Sequence, residues 1–250
     1  MTYDAPLALA PDLASHPWQQ TFASSGRVHI PDILSAQSAD RIFACLDAQS
    51  AWNLVCQQNG QHIDLNADIE TTWSAEQRSD FMSELHRQAN DSFQYLYKAI
   101  PLYDVYHEKR LPNHFLNQVF EFINSKPVLD YLRITLNLPD IGFADAQVTC
   151  YTQGHFLTQH DDDVPGKNRL AGYVLNLTPV WSSNWGGALQ FYDGTGNCIN
   201  TMQPSYNALN VFQVPQPHAV TYVPPFASGK RFAITGWLRA GQDPAVRTDP

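Results

Sequence analysis

Nowhere does this chain place two cysteines in a local pair: Cys45, Cys56, Cys150 and Cys198 stand far apart, and no CxxC occurs. That spacing argues against a disulfide framework or a zinc knuckle and predicts reduced, partly buried thiols in a reducing compartment. Charge is scarce at 16% of residues, and positive charge scarcer, with 15 Lys+Arg against 24 Asp+Glu, a formal net charge of −9 and no Lys/Arg run. A surface of that sign repels phosphate backbones, so nucleic-acid binding is not expected. No stretch approaches the ~18 apolar residues that a membrane-spanning helix needs. The opening MTYDAPLALAPDLASHPW has an acid at Asp4 and no basic n-region, so it does not read as a secretion signal, and the expected location is the cytoplasm. Internal repeats and low-complexity linkers are also missing. What remains is 250 residues, 44% apolar and 12% aromatic, enough to bury a substantial core.

The pattern changes near residue 140. Before it, helical periodicity dominates. Ile42, Phe43, Cys45 and Leu46 suit a short amphipathic helix over 35–50. Ser74 and Gln77 form a capping-box signature that opens a longer helix, whose stripe Phe81, Leu85, Ala89 continues through Phe93 and Tyr97. Further helices are expected in HFLNQVFEFINS and from Lys126-Pro127, where proline suits the first turn. Between Trp52 and Trp73 lies a polar stretch centred on Asn59-Gly60, a hairpin signal over 53–72 that reads as either a surface hairpin or a flap over a pocket. After residue 140 the period becomes two. FADAQVTCYT, LAGYVLNLTP, GALQFYD, NALNVFQV, HAVTYV and RFAITGWLR read as strands separated by Gly, Pro, Asn and Asp. Helices first and strands second predict a mainly β antiparallel sandwich or barrel braced by N-terminal helices, in one domain over 1–250.

The chemistry concentrates in Gln159-His160-Asp161-Asp162-Asp163. A histidine and a carboxylate two residues apart at a strand end can aim to one side. His218, which opens HAVTYV, is a candidate third ligand, and two imidazoles plus one carboxylate suit a non-haem Fe(II) centre with open positions. Zinc with three protein ligands and a water is the chemical competitor. A solvated acidic turn at 161–163 and a hydrogen-bonded core histidine at 218 are the structural alternatives. In RFAITGWLR, alternation puts Arg231 with Ala233, Thr235 and Trp237, and Lys230 with Phe232, Ile234 and Gly236. A buried arginine requires an anion, and its fork matches a carboxylate such as one end of 2-oxoglutarate. Periodicity alone leaves open which of the two faces inward. His16, His29, His62, His86, His107, His114 and His155 read as surface or core residues, His155 being nearest the candidate site in sequence.

TCYTQGHFLTQHDDD, RLAGYVLNLTP, WGGALQFYD and HAVTYVPPFASGKRFAITGWLR, in that order over roughly 146–239, resemble the Fe(II)/2-oxoglutarate-dependent oxygenases of the prolyl 4-hydroxylase type. The branch most similar is that of bacterial proline hydroxylases related to the ribosomal and oxygen-sensing prolyl hydroxylases; GRVHIPDIL and FQYLYKAIPLY add a softer likeness. The resemblance implies a double-stranded β-helix, a cupin-like jelly roll, over 141–240. It implies His160, Asp162 and His218 as iron ligands and Arg231 as the partner of the distal carboxylate of 2-oxoglutarate. Tyr151, Thr235 and Leu189 match further cosubstrate contacts, Trp237 a structural tryptophan. Where some oxygen-sensing relatives carry a tyrosine, this chain has Asn176 or Leu175, which makes Asn176 the weakest cosubstrate candidate. Aspartate at 162 fits hydroxylation, since halogenating relatives have a small residue there. The cofactors implied are Fe(II), 2-oxoglutarate and O2, with ascorbate as an auxiliary reductant. The partner implied is a protein or peptide bearing proline, with a free amino acid or small metabolite as the alternative substrate. Outside that chemistry stand a silent jelly-roll binding module and a zinc hydrolase.

Overall fold

The computed structural model describes residues 5–14, 16–66 and 68–246. In chain order its elements are α1 (His16–Ser25), β1 (Arg27–Ile30), α2 (Ala36–Asp47), β2 (Asn53–Gln58), β3 (Gln61–Leu65), α3 (Ile69–Thr72), α4 (Ala75–Asp91), β4 (Tyr95–Ile100), α5 (Leu102–His107), α6 (Phe115–Ile123) and α7 (Lys126–Leu136). Then come β5 (Ile141–Ala144), β6 (Gln147–Tyr151), β7 (Phe156–His160), β8 (Arg169–Asn176), β9 (Leu189–Tyr192), β10 (Cys198–Met202), β11 (Ala208–Gln213), β12 (His218–Val220) and β13 (Arg231–Ala240). The His16 side chain and Asp4 lie outside the described residues.

Local chemistry accounts for the helix ends. The Ser35 hydroxyl accepts from the Ser38 N–H at the start of α2, and Ser74 with Gln77 forms the full capping box of α4. Pro127 sits in the first turn of α7, which ends on Asn137 in the left-handed region. The stripe expected to continue through Phe93 and Tyr97 does not: α4 stops at Asp91, and both residues fall on or beside β4. Aromatic and β-branched density in the segment wins there over helical spacing. FADAQVTCYT likewise divides into β5 and β6, because the chain turns at Asp145-Ala146.

The described strands form one antiparallel sheet in the order β1-β11-β8-β13-β6-β4-β7-β12-β9-β10, with β5 on β13 and β2–β3 on β4. It curls into a nearly closed barrel, the expected double-stranded β-helix, with the N-terminal helices outside. The first 140 residues are more than helical support, since four of their strands join the sheet. The Asn59-Gly60 turn has positive φ at both residues (52° and 79°), and its hairpin is tied into the sheet through β2–β4. Alternation on β13 decides the fate of its residues. Phe232, Ile234 and Leu238 enter the main core with Ile42, Leu46, Leu116 and Leu132 from the helices. Arg231, Thr235 and Trp237 face the barrel interior, while the half-exposed Lys230 pairs outside with Asp47 at 3.6 Å. Cys56 and Cys150 are buried and Cys45 half-buried as expected, but Cys198 is exposed; all four are free thiols.

Candidate metal centre and cosubstrate pocket

Antiparallel pairing of β7 with β12 sets His160 directly opposite His218, with ring centroids 4.1 Å apart. Asp162 follows β7 in a left-handed conformation (φ 66°), which an aspartate tolerates better than a bulky residue. That turn swings its carboxylate back between the histidines. Oδ1 lies 3.2 Å from His160 Nε2 and Oδ2 3.4 Å from His218 Nε2. The three donor atoms all fall within 4.8 Å of one another. His160 Nδ1 bonds the Thr158 carbonyl at 3.0 Å and His218 Nδ1 the Gln216 carbonyl at 2.8 Å. A carbonyl only accepts, so both Nδ1 atoms carry the proton and both Nε2 atoms offer a lone pair. Burial pushes His218 down to about 4, keeping it neutral at pH 7. Burial pulls Asp162 the other way, yet the His160 and His218 side chains beside it leave its carboxyl below the ordinary range. The neutral His218 imidazole, the His160 imidazole and the Asp162 carboxylate, all on one side, are a donor set that fits Fe(II) with open positions.

The triad shares a cavity of about 70 Å³ in the barrel interior with Arg231. Its guanidinium is 2% exposed, sits 5.0 Å above the Tyr151 ring, and leaves Nε without a hydrogen-bond partner. Among the described residues it makes no ion pair, and burial pulls its pKa down. An unpaired buried cation is strongly unfavourable, so the pocket is built for an anion that completes it. Gly187 makes room: a Cβ there would stand 3.3 Å from Arg231 Cδ and 3.1 Å from the Trp181 ring.

Tyr151, Thr235 and Leu189 line this cavity with Arg231 and the triad. Asn176 does not. It pairs with Ala233 across β8–β13, and its Nδ2 bonds the carbonyls of Val174 and Ala208. His155 is buried outside the lining and accepts from the Thr152 N–H at 3.1 Å. Trp237, expected to be structural, lines the cavity with its Nε1 buried and unbonded. Arg169 stacks on that indole at 3.4 Å and donates to the Asp162 carbonyl at 2.9 Å, joining the ligand loop to β13. Tyr97 also lines the pocket, stacked on Tyr151 at 5.1 Å. The signal for Trp237 was its shared face with Arg231. Tyr97 was hidden by its place on an apparent helical stripe.

The profile of the 2OG-Fe(II) oxygenase superfamily matches residues 146–239, the segment from β6 to β13 that carries every one of these pocket residues except Tyr97. The chain is also similar to "Prolyl 3-hydroxylase OGFOD1" of Xenopus laevis, 32% identical over 101 residues. That match covers 36% of this chain and only 19% of the relative, about a fifth of its length. Among solved structures, a 2OG-Fe(II) oxygenase family oxidoreductase from Burkholderia pseudomallei superposes with a TM-score of 0.60 at 12% identity, over 95% of this chain and 98% of that one. A prolyl hydroxylase from Trichoplax adhaerens, solved with a hypoxia inducible factor peptide fragment, gives 0.56 at 16% identity, over 90% and 89%. At such identities these two likenesses establish the shared fold.

Proposed function

We propose that the protein is an Fe(II)- and 2-oxoglutarate-dependent dioxygenase that hydroxylates a C–H bond of a prolyl residue in a polypeptide. The observation that carries this reading is the buried, anion-less Arg231 in the same cavity as the His160–Asp162–His218 cluster. When bound, Fe(II) with 2-oxoglutarate and O2 supplies the oxidising chemistry, with succinate and CO2 as coproducts. The chain's own residues do the rest. His160, Asp162 and His218 hold the metal, their tautomers fixed by the Thr158 and Gln216 carbonyls. Arg231 receives the distal carboxylate through charge-assisted hydrogen bonds, with Tyr151 and Thr235 beside it. Leu189, Val174, Phe212 and Val220 exclude water from the chamber. Similarity to two prolyl hydroxylases supports a polypeptide substrate, and ascorbate is the reductant expected to keep the metal ferrous.

We read 1–250 as one oxygenase domain working in the cytoplasm. Its free cysteines fit a reducing compartment, and no helix among the described residues is long and apolar enough to cross a membrane. Anaerobic titration of metal-free protein with Fe(II) and then 2-oxoglutarate tests the core of the reading. A weak visible charge-transfer band is expected in the wild type and not in His218→Ala. A folded, metal-loaded protein that shows no band would refute the cosubstrate assignment.

A further inference from the structure

Asp162 owes its place among the candidate ligands to a backbone conformation that few residues adopt (φ 66°), two residues past the end of β7. It opens the turn that returns the chain to β8, a turn exposed from Asp163 to Asn168 and carrying like charges at Asp161 and Asp163 on either side of the ligand. Two arginines tie this turn down, one near each end. Arg239 on β13 donates Nε to the Lys167 carbonyl at 2.8 Å and pairs with Asp145 at 3.6 Å. Arg169, opposite Arg239 in the β8–β13 register, donates Nη1 to the Asp162 carbonyl at 2.9 Å. Its guanidinium lies 3.4 Å from the centre of the Trp237 ring, and the Trp237 main-chain N–H is itself fixed by Asp145 Oδ1 at 2.7 Å. The buried Arg169 Nε has no hydrogen-bond partner among the described residues, so the Nη1 bond and the indole face are what hold the group. Nor does Arg169 pair with the Asp162 carboxylate, which lies against the two imidazoles instead. A cation on that carboxylate would compete with a metal for it. Here the positive charge is directed to the main-chain oxygen of the same residue, and stacking keeps it there.

We propose that Arg169 is a positioning residue: lying flat on Trp237, it clamps the Asp162 peptide so that the carboxylate is presented to the metal between His160 and His218. The inference rests on the oxygenase reading of the pocket and names the side chain that fixes the anionic ligand. Contacts one shell out from a metal commonly set its affinity by about tenfold to a hundredfold. The sign of the effect separates this role from that of a plain charge. A nearby cation repels a divalent metal, so removing Arg169 would tighten metal binding if charge were all it contributed. Loss of a clamp works in reverse, because an aspartate released from its left-handed turn returns to the commoner backbone conformations and carries its carboxylate off the site. Lysine keeps the charge but has neither the flat face nor the fork, so it cannot stand in for arginine here.

The test is titration of metal-free protein with Mn(II), followed by electron paramagnetic resonance, which counts the free ion and reports the coordination of the bound one. Arg169→Gln and Arg169→Lys should each weaken Mn(II) binding by about tenfold to a hundredfold and alter the bound-ion spectrum. Affinity for 2-oxoglutarate at saturating Mn(II) should stay near that of the wild type, since Arg231 is untouched. Trp237→Ala should resemble Arg169→Gln, and the double variant should bind no more weakly than the worse single one, as two groups acting as a unit require. Circular dichroism checks that each variant is folded; if Trp237→Ala is not, the two Arg169 variants decide alone. Unchanged or tighter Mn(II) binding in Arg169→Gln, wild-type binding in Arg169→Lys, or fully additive losses in the double variant overturns the clamp. If His218→Ala still abolishes Mn(II) binding, the oxygenase reading survives that failure. If the wild type itself binds no Mn(II), the oxygenase reading falls first and the clamp with it.

Discussion

Arg231 and His155 are both polar and almost wholly buried, and the contrast between them separates a binding group from a structural one. His155 has its partner, the Thr152 N–H, whereas Arg231 has no anion among the described residues. Arg231→Ala should therefore raise the KM for 2-oxoglutarate by about tenfold to a hundredfold, with Fe(II) affinity little changed, in steady-state assays and metal titration. His160→Ala, Asp162→Ala or His218→Ala should instead abolish stoichiometric Fe(II) binding while circular dichroism keeps its native shape; retained metal in any one would remove that residue from the ligand set. Burial pushes His155 down to about 4, from an unfolded value near 6.5. Its neutral form thus contributes stability that is complete above pH 6.5 and fades as pH falls toward 4. The loss is about 3 kcal/mol, since the unfolded chain takes up the proton first. His155→Asn should flatten that part of the stability–pH curve in urea titrations. At this scale the sequence made Arg231 legible once alternation was combined with family likeness. Asn176 was not resolvable, because a loose alignment cannot tell a lining position from its neighbour two residues along.

Capping and turn chemistry are written in a few adjacent residues, and so the elements they control were readable. Ser74 and Gln77 start α4 where expected, and Ser74→Ala should cost about 1 kcal/mol in thermal or urea unfolding. β4 was not readable, since Phe93 and Tyr97 keep a spacing of four that a helix and a strand both satisfy. Only the long-range pairing with β2, β6 and β7 resolves it, and no short window contains those partners. Gly236 shows how tightly β13 is held. A Cβ there would stand 2.1 Å from the Asp145 carbonyl, a backbone atom that cannot swing aside. Gly236→Ala should lose about 1–3 kcal/mol of stability and blunt turnover as well, by shifting the adjacent Trp237. Wild-type melting and activity in that variant would mean the β5–β6 corner is softer than its contacts indicate.

Across the whole molecule, the change from period 3.6 to period 2 near residue 140 announced a helical layer around a β barrel. It gave no hint that the N-terminal half lends strands to that barrel, because a four-residue strand such as β1 leaves too little pattern to detect. Ligands that bind only the folded barrel should stabilise all of it together. Saturating 2-oxoglutarate at about 100 times its Kd, added to Mn(II)-loaded protein, should contribute about 2.7 kcal/mol, several degrees of Tm. Arg231→Ala should keep the metal increment and lose the 2-oxoglutarate one in differential scanning fluorimetry.

The imidazole tethers carry a last consequence. Both acceptors that fix the ligand tautomers are main-chain carbonyls, at Thr158 and Gln216. No side-chain replacement deletes a carbonyl, so alanine scanning would pass over both positions and report them as tolerant. What protects the protonation state of this centre is the path of the backbone beside His160 and His218, which point changes cannot erase and only insertions or deletions near β7 and β12 can disturb. The centre's sensitivity is thus to length, more than to letter, in the segments just before its two histidines.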